Sequence, residues 1–290
     1  MSGRVDVFIP TLNSQRTVED SLRSLIYAGV PVNQILLVDG FSTDYTVQAV
    51  KRFCEYMGWG FKVMYTKGDL GLARHLGNLM AETPLYVSLD SDVLLPAGWY
   101  VKVRADMEDP ALIYSGSYLI YGDEGTTTHR CWSFYCREKN TQPNTGSTLF
   151  RRSLADFRCM VGIRISEDTI YNFHVLEAGG RYKLRHDIPA RHPSTALRDL
   201  KHSYGWGGGA RAIGRHGLVE ICRVVRAAYK GIKAAAQLRD VKLAVYMPLR
   251  ETIHLLGFIR GHRIARQHGF REELNLILAA RRMVKAKRLF

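Results

Sequence analysis

The sequence predicts an α/β fold: a doubly wound, mostly parallel sheet followed by a C-terminal region of basic amphipathic helices. Apolar runs alternate four times with amphipathic helical patterns in the first 95 residues, as in parallel sheets covered by helices on both faces. From Arg191 onward there are 21 Lys and Arg against 6 Asp and Glu, whereas the preceding 190 residues are nearly neutral. No stretch of 18 residues lacks a charge, so a simple membrane span is not expected.

Apolar runs that stop at turn residues define the elements of the predicted sheet. Asp39 ends the second strand, and Asp90 and Asp92 follow the fourth. Because ligands bind at the carboxyl ends of the strands in such sheets, these carboxylates are expected at a ligand site. The expected strands are 5–10, 35–38, 61–65 and 85–89, and the expected helices are 17–28, a segment from after Asp44 to about Met57, and 70–80.

The stretch LYVSLDSDVLLP, residues 85–96, is the most informative in the chain. Its first half predicts a strand buried on both faces, and Asp90 and Asp92 follow directly. Two carboxylates at that position are costly to bury without compensation. A divalent cation such as Mg²⁺ or Mn²⁺ can bridge a carboxylate and a diphosphate. Taken alone, the same pattern also describes a strand that ends in a turn with both carboxylates solvated.

The middle of the chain has a less regular pattern. The polar and aromatic segment 122–144, which contains Trp132, is expected to be a loop that faces the substrate. Glu167 and Asp168 begin a predicted helix, where two acids either take part in chemistry or complement the helix dipole. The strands expected in this region are 112–121 as one strand or two, 146–152 after a turn, and 182–188.

A glycine-rich segment, YGWGGGAR, occupies residues 204–211. So much glycine is unfavourable inside a helix or a strand, so residues 204–217 are expected to form a mobile loop. Such a loop could bring its backbone close to a phosphate and supply the charge of Arg211, or it could be a plain linker. The predicted domains are a catalytic domain at 1–203, this loop, and a helical module at 218–290.

The helical pattern of the last third combines apolar and basic faces. In residues 218–239, Arg and Lys recur at spacings of three and four on one face, and apolar side chains occupy the other. Residues 247–266 and 270–290 repeat this pattern. Such helices can lie on an anionic membrane surface, or they can pack on the body of the protein and leave their charges in water. Their number and net charge favour contact with a membrane.

Several other classes of protein are disfavoured by missing motifs. Five cysteines without a CxxC pair indicate reduced thiols in the cytosol, and the first residues lack the pattern of a secretory signal. No GxGxxG follows the first strand and no GxxxxGK[ST] is present, which argues against dinucleotide-binding and P-loop domains. The net charge of +14 would suit a nucleic-acid-binding protein, but no motif of that class is found.

Six short motifs occur in this order along the chain: FIPTLN at the first strand, VDGFSTD at 38–44, GLARHLGN at 71–78, LDSDV at 89–93, GSTLFRR at 146–152 and SED at 166–168. Together these motifs resemble glycosyltransferase family 2, over roughly residues 4–216. The family has the GT-A fold, so the resemblance implies a metal-dependent, inverting hexosyltransferase. It would move a single sugar from GDP-mannose or a UDP-hexose to an acceptor hydroxyl. A sugar-phosphate nucleotidyltransferase is the alternative, but residues 11–15 lack the glycine-rich loop usual in that class.

The resemblance also implies roles for individual residues. Asp92 would ligate Mn²⁺ or Mg²⁺ directly, and Asp90 would contact the metal through water or bind the ribose. His192 is either a further ligand of metal or phosphate or a structural residue. Asp168 would be the general base, with Glu167 as the alternative. The donor-binding residues would be Pro10, Thr11, Asn13, Asp39, Arg74 and Asp90, to which the glycine-rich segment adds Arg211.

The acceptor is expected near Trp132, Gly146 and Ser147. The family often has an acid after the asparagine of the first strand, where this chain has Ser14. The QxxRW motif of processive synthases is absent, so transfer of one sugar is expected. The expected partner is a glycan or a polyprenyl-phosphate-linked acceptor and not a nucleic acid. The basic helices suggest that the protein is cytoplasmic and works at the cytoplasmic face of a membrane.

Overall fold

The computed structural model describes residues 3–139, 144–162, 167–212 and 215–267. The chain divides into two compact units, Met1–Leu119 with Thr141–His192, and Ile120–Asn140 with Pro193–Phe290. None of the described helices combines the length and the apolar character that crossing a membrane requires. The predicted third basic segment, residues 270–290, lies outside the described residues.

The first unit contains the sheet. Its strands are β1 (Val5–Thr11), β2 (Val32–Asp39), β3 (Gly60–Tyr65), β4 (Leu85–Leu89), β5 (Leu112–Tyr121, whose last two residues are assigned to the second unit), β6 (Ser147–Arg151) and β7 (Arg181–His192). Its helices are α1 (Val18–Tyr27), α2 (Thr46–Met57), α3 (Leu70–Met80), α4 (Trp99–Asp106) and α6 (Glu167–Glu177). The second unit has α5 (Thr127–Arg137), α7 (Ala196–Ala212), α8 (Gly217–Leu238) and α9 (Lys242–Gln267).

The seven strands are ordered β3-β2-β1-β4-β6-β5-β7. The first four in this order pair in parallel, and β6 pairs antiparallel with β4 and with β5. Each parallel crossover carries a helix, as the alternating sequence pattern predicts. The predicted doubly wound, mostly parallel sheet is therefore confirmed, and residues 112–121 form one strand rather than two.

The central strands are buried on both faces because helices cover each side of the sheet. In β1, Val7 and Ile9 belong to the apolar core on one face, and Phe8 belongs to the core on the other. Successive side chains of a strand point to opposite faces, so a continuous apolar run fills both cores at once. This burial fixes the register of β1 and, with it, the position of the residues that follow each strand.

The glycine-rich segment is not a loop. Residues 204–212 belong to α7, so the predicted mobile loop is wrong there, and the predicted domain boundary at 203 falls inside a helix. The glycines serve close packing: a Cβ on Gly207 would lie 1.9 Å from the carbonyl oxygen of His254. A Cβ on Gly257 would lie 1.9 Å from the carbonyl oxygen of Tyr204. The backbones of α7 and α9 therefore touch, which no larger residue would allow.

The predicted substrate-facing loop at 122–144 is also wrong in its centre. Residues 127–137 form α5, and the hydroxyl of Thr126 accepts a hydrogen bond from the backbone NH of His129 at its start (3.2 Å). The aromatic side chains that suggested a binding loop are buried in the second unit. They are the apolar face of an amphipathic helix, a pattern that the polar neighbours obscured.

Candidate active site

The carboxyl ends of β2, β1 and β4 lie side by side because these strands are neighbours in the sheet. Thr11 at the end of β1 pairs with Asp39 at the end of β2. Ser88 in β4 pairs with Phe8 in β1, and Asp90 follows β4 directly. The parallel register therefore brings the polar residues after three strands to one edge of the sheet, as the sequence predicts.

Asp39 organises the loop that follows β2. Its carboxylate is fully buried and accepts hydrogen bonds from the Thr11 hydroxyl (2.9 Å), the Ser42 backbone NH (2.7 Å) and the Ser42 hydroxyl (2.6 Å). Both carboxylate oxygens are thus engaged by donors of the chain itself. The first task of Asp39 is to hold residues 40–42 in place at the edge of the sheet.

A second set of hydrogen bonds joins this loop to the turn after β1, where Pro10 and Thr11 end the strand. The side-chain oxygen of Asn13 accepts from the backbone NH of Thr43 (2.9 Å), and the backbone NH of Asn13 donates to the Ser42 hydroxyl (2.8 Å). Asn13 has a φ of +51°, a conformation that asparagine tolerates better than most residues. The two loops therefore form one tied rim around the end of β1.

Two exposed aromatic residues, Phe41 and Tyr65, lie on this rim, and they were not among the predicted site residues. The rings of Phe41 and Tyr65 lie 5.5 Å apart, and the Lys67 ammonium lies 5.4 Å from the centroid of the Phe41 ring. Phe41 is 48% exposed although it follows a buried strand. The sequence signal that could have identified them is an aromatic residue at or just after the end of each of two predicted strands. The structure pairs these strands, with Asp39 beside Tyr65. They offer a flat face and a cation to a ligand.

The Asp90-Ser91-Asp92 turn is held by three separate contacts. The backbone NH of Asp90 donates to the Gly146 carbonyl (2.9 Å), and the hydroxyls of Ser91 and Ser14 share a hydrogen bond (2.8 Å). A carboxylate oxygen of Asp92 lies 3.3 Å from Nε2 of His192. The turn is thus not a solvated strand end, and Ser14 contacts it through its hydroxyl.

Arg74 is the buried cation of the site. Its side chain is 3% exposed, and its Nη2 lies 3.0 Å from Oδ1 of Asp90. Its Nε lies 3.4 Å from Oε1 of Glu167, and Nη1 approaches the Ser88 hydroxyl (3.3 Å). The neighbouring carboxylates raise the pKa of Arg74 against the opposing effect of burial. Arg74 therefore neutralises the acids of the site, a role that the sequence did not assign to it.

Glu167 and Asp168 begin α6 beside this cation. Burial raises the pKa of Asp168 to about 8, and the charge of Glu167 adds to the shift while Arg74 opposes it. Burial likewise raises the pKa of Glu167, although Arg74 lies within ion-pair distance. The backbone NH of Thr169 donates to Asp168 (2.8 Å). A carboxylate with a raised pKa near a ligand site is a stronger proton acceptor than an ordinary one.

The residues predicted to hold a metal are only partly assembled. Asp92 and His192 lie together, and a carboxylate with an imidazole is a donor set that Mn²⁺ accepts. Asp90 is instead engaged with Arg74. Among the described residues, no group of three or more His, Cys, Asp or Glu is placed to hold a metal ion. Asp92 and His192 therefore fit a cation whose remaining ligands come from a bound diphosphate and water, as is usual for Mg²⁺.

Gly146 and Ser147, predicted near the acceptor, form the support beneath Asp90. A Cβ on Gly146 would lie 2.1 Å from a carboxylate oxygen of Asp90, so only glycine fits there. The backbone NH of Gly146 donates to the side-chain oxygen of Asn144 (2.6 Å). Ser147 is fully buried, and its hydroxyl accepts from the Asn144 amide (2.6 Å). Their visible role is to position the turn that carries Asp90.

Trp132 and Arg211 belong to the second unit. Trp132 is 1% exposed, its Nε1 donates to Asp199 (3.1 Å), and the guanidinium of Arg250 lies 4.4 Å from a ring centroid. A side chain buried in this way cannot line an acceptor site, so that prediction is wrong. Arg211 lies in α7 with its guanidinium 5.1 Å from the ring centroid of Phe258, not in a phosphate-binding loop.

Comparisons with known proteins identify a family from a sequence model and a fold from solved structures. The family model described as "Glycosyl transferase family 2" matches residues 6–167. A mannosyltransferase from Pyrobaculum calidifontis, solved in complex with GDP-Man and Mn²⁺, is 16% identical, with a TM-score of 0.51 over 100% of this chain and 88% of that one.

Two structures of TarS residues 1–349 from S. aureus also align, each over 90% of this chain and 91% of the TarS chain. One is 16% identical, and the other, a complex with UDP-GlcNAc, is 14% identical. Both have a TM-score of 0.50, so the similarity concerns the fold. No curated protein sequence matches the chain.

Proposed function

Because the chain belongs to glycosyltransferase family 2 and is a glycosyltransferase of the GT-A fold, we propose that it transfers one sugar from a nucleotide-sugar to an acceptor hydroxyl with inversion. The observation that supports this most strongly is the buried cation Arg74, which lies against Asp90 on one side and Glu167 on the other. It joins the turn after β4 to the carboxylates at the start of α6. In the proposed enzyme, Arg74 would thereby hold the donor-binding edge close to the proton acceptor.

The nucleoside of the donor would lie on the rim formed by the loops after β1 and β2. Asn13 is exposed on this rim, whereas Pro10, Thr11 and Asp39 are buried beneath it and hold it in place. In the proposed complex, the base stacks on Phe41 and Tyr65, whose rings are exposed there. Structures of similar fold hold GDP-Man and UDP-GlcNAc, so the donor proposal covers GDP-mannose and UDP-hexoses.

A divalent cation would be held by Asp92 and His192, with Asp90 nearby. Mn²⁺ or Mg²⁺ bound there would neutralise the charge that develops on the leaving diphosphate. The P. calidifontis structure of similar fold contains Mn²⁺. Arg74 holds the Asp90 carboxylate beside this position, and Gly146 supports it from below.

Asp168 is the proposed general base. Its carboxylate takes the proton of the acceptor hydroxyl while that oxygen bonds to the anomeric carbon and the bond to the diphosphate breaks. Attack from the side opposite the leaving group inverts the configuration at this carbon. Glu167 is the alternative base, but its ion pair with Arg74 makes it better suited to position the site. The raised pKa of Asp168 suits a base that must accept a proton from an alcohol.

The proposed acceptor is a hydroxyl of a glycan or of a polyprenyl-phosphate-linked glycan. Single transfer is proposed because the chain lacks the motif of processive synthases. A lipid-linked acceptor would place the enzyme at the cytoplasmic face of a membrane, which the basic C-terminal third favours.

A thermal-shift screen of GDP-, UDP- and dTDP-sugars, each with and without Mn²⁺, tests this proposal. A ligand that binds only the folded state raises the melting temperature. Once the ligand concentration exceeds the dissociation constant, this increase grows with the logarithm of their ratio. The expected result is a shift with one nucleotide class that grows when Mn²⁺ is present. No shift with any of the nucleotides would overturn the proposal, and so would a Mn²⁺-dependent shift that persists unchanged in Asp92→Asn.

A further inference from the structure

Helix α8 exposes a row of apolar side chains on the side opposite to its buried face. The buried side chains of this helix are Glu220, Ala227 and Ala234, together with Gly231. A helix has 3.6 residues per turn, so positions spaced three and four apart form one stripe. The exposed apolar residues have that spacing, at Leu218, Ile221, Val225, Tyr229 and Ile232, with exposed fractions from 51% to 72%.

Helix α9 has a matching stripe and packs against α8. A Cβ on Gly231 would lie 2.8 Å from the carbonyl oxygen of Leu243, and Arg223 pairs with Glu251 (3.0 Å), so the two helices form a hairpin. The side of α9 that contacts α7, at His254, is about half a turn away from its exposed apolar residues. Those residues are Val245, Leu249, Leu256 and Ile259, with Val241 just before the helix.

In this hairpin the acidic side chains are buried, and the exposed charged side chains are basic. The three acids between residues 215 and 261, Glu220, Asp240 and Glu251, are all buried. Arg223 lies 3.5 Å from Glu220 and 3.0 Å from Glu251, and Arg130 lies 3.3 Å from Asp240. The exposed charged residues of the same stretch are all basic: Arg226, Arg239, Lys242 and Arg260.

We propose that the apolar stripes of α8 and α9, with their basic neighbours, dock on a membrane whose lipid headgroups are anionic. Apolar side chains bordered by Lys and Arg complement the acyl boundary and the negative headgroups at the same time. A symmetric dimer through this face would bring like charges together, since the same patch meets itself. Single-stranded nucleic acid is recognised by stacked aromatic residues along a basic groove, and Tyr229 is the only aromatic residue in the stripes.

Vesicle flotation of the full chain without any donor tests this inference independently of sugar transfer. Phosphatidylcholine vesicles with about 30% phosphatidylglycerol provide the anionic surface, and pure phosphatidylcholine vesicles are the comparison. The test variant is Val225→Glu, on α8. The matched control is Val101→Glu, on α4 of the first unit, because these two valines are 69% and 70% exposed.

The wild type and the Val101→Glu control are expected to float with the anionic vesicles and much less with the neutral ones. Val225→Glu loses apolar contact and adds repulsion, so its binding constant is expected to fall at least about tenfold. Equal flotation of the two variants would overturn the inference. So would loss of flotation in a chain truncated after Gln267 while Val225→Glu still floats, since residues 268–290 would then carry the binding. A dimer that Val225→Glu dissociates would assign the face to a second copy instead.

Discussion

Replacing Arg74 with methionine removes the buried cation that pairs with both Asp90 and Glu167. The side chain is 3% exposed and lies within 3.4 Å of both Asp90 and Glu167. Methionine keeps much of the length and the apolar contacts but leaves both carboxylates without their partner. Because a buried charge without a partner is costly, we expect a large loss of stability.

Breaking a buried ion pair by removing one partner typically costs about 3–5 kcal/mol. A change of 1 kcal/mol moves the melting temperature by roughly 2–4 °C in a protein of this size class, so a decrease of about 6–20 °C is expected. Burial already holds the pKa of Asp168 at about 8, and loss of Arg74 raises it further. A carboxyl with a raised pKa contributes stability at low pH and loses it as the pH rises through the folded-state pKa. The variant should therefore be less impaired at pH 5 than at pH 9.

Circular dichroism melts of Arg74→Met at pH 5, 7 and 9 measure this effect. Arg158→Met is the matched control, because Arg158 also pairs with a carboxylate, Asp156 (2.6 Å), but its side chain is 79% exposed. Exposed pairs contribute little, so the control should melt close to the wild type. The stabilising role of Arg74 is refuted if Arg74→Met melts like the control at pH 9. It is supported further if Arg74→Met/Glu167→Gln regains part of the loss.

Four further substitutions test the proposed base, the support of Asp90 and the packing of α7. Asp168→Asn should keep nucleotide binding, while its rate of sugar transfer should fall at least about a hundredfold. The rate of the wild type should rise with pH up to about 8, because only the ionised carboxylate accepts a proton. An unchanged rate in the variant would show that another residue is the base. Gly146→Ala should displace Asp90, whose oxygen would be 2.1 Å from the new Cβ, and weaken Mn²⁺-dependent nucleotide binding; unchanged binding would contradict this. Gly207→Ala should lower the melting temperature, because its Cβ would collide with the backbone of α9. Gly205→Ala has open space around its Cβ and should stabilise α7 by about 0.5–1 kcal/mol. Equal effects of the two substitutions would refute the contact between α7 and α9.

The sheet could be predicted because its signal is local. Each apolar run of β1, β2 and β4 ends in residues with turn chemistry, and the helices between them show clear apolar periodicity. The third helix was predicted at 70–80, the range that the structure shows. The place of β6 between β4 and β5 could not be predicted, because antiparallel insertion depends on pairing between residues far apart in the chain.

The glycine-rich helix was missed because intrinsic propensity is a weak guide when packing decides. Several glycines in one stretch disfavour a helix in isolation. Here Gly207 allows the backbone of α7 to approach His254, and that contact is visible only once α9 is in place. Helix α5 was missed for the same reason. Its aromatic side chains have polar neighbours in the sequence, but they are buried in the fold.

Most residues of the candidate site could be predicted from the sequence, but the contacts that they make with one another could not. The motifs identified Asp39, Asp90 and Asp92 at strand ends, and the structure brings them to one edge of the sheet. Arg74 was selected for the donor, although its contacts are with Asp90 and Glu167. A sequence pattern can predict which residue types lie at strand ends. It cannot predict an ion pair between residues 93 positions apart, such as Arg74 and Glu167, because that contact depends on the tertiary structure.

Calorimetric titration of the matching nucleoside diphosphate, with and without Mn²⁺, tests the central claim most directly. The proteins to compare are the wild type, Asp92→Asn, and Asp187→Asn, an exposed carboxylate that pairs with Lys102 away from the site (2.9 Å). Mn²⁺ should tighten binding in the wild type and in Asp187→Asn, because the cation joins Asp92 to the diphosphate. It should have no effect on binding by Asp92→Asn. Equal tightening in all three proteins would contradict a metal-diphosphate site at Asp92.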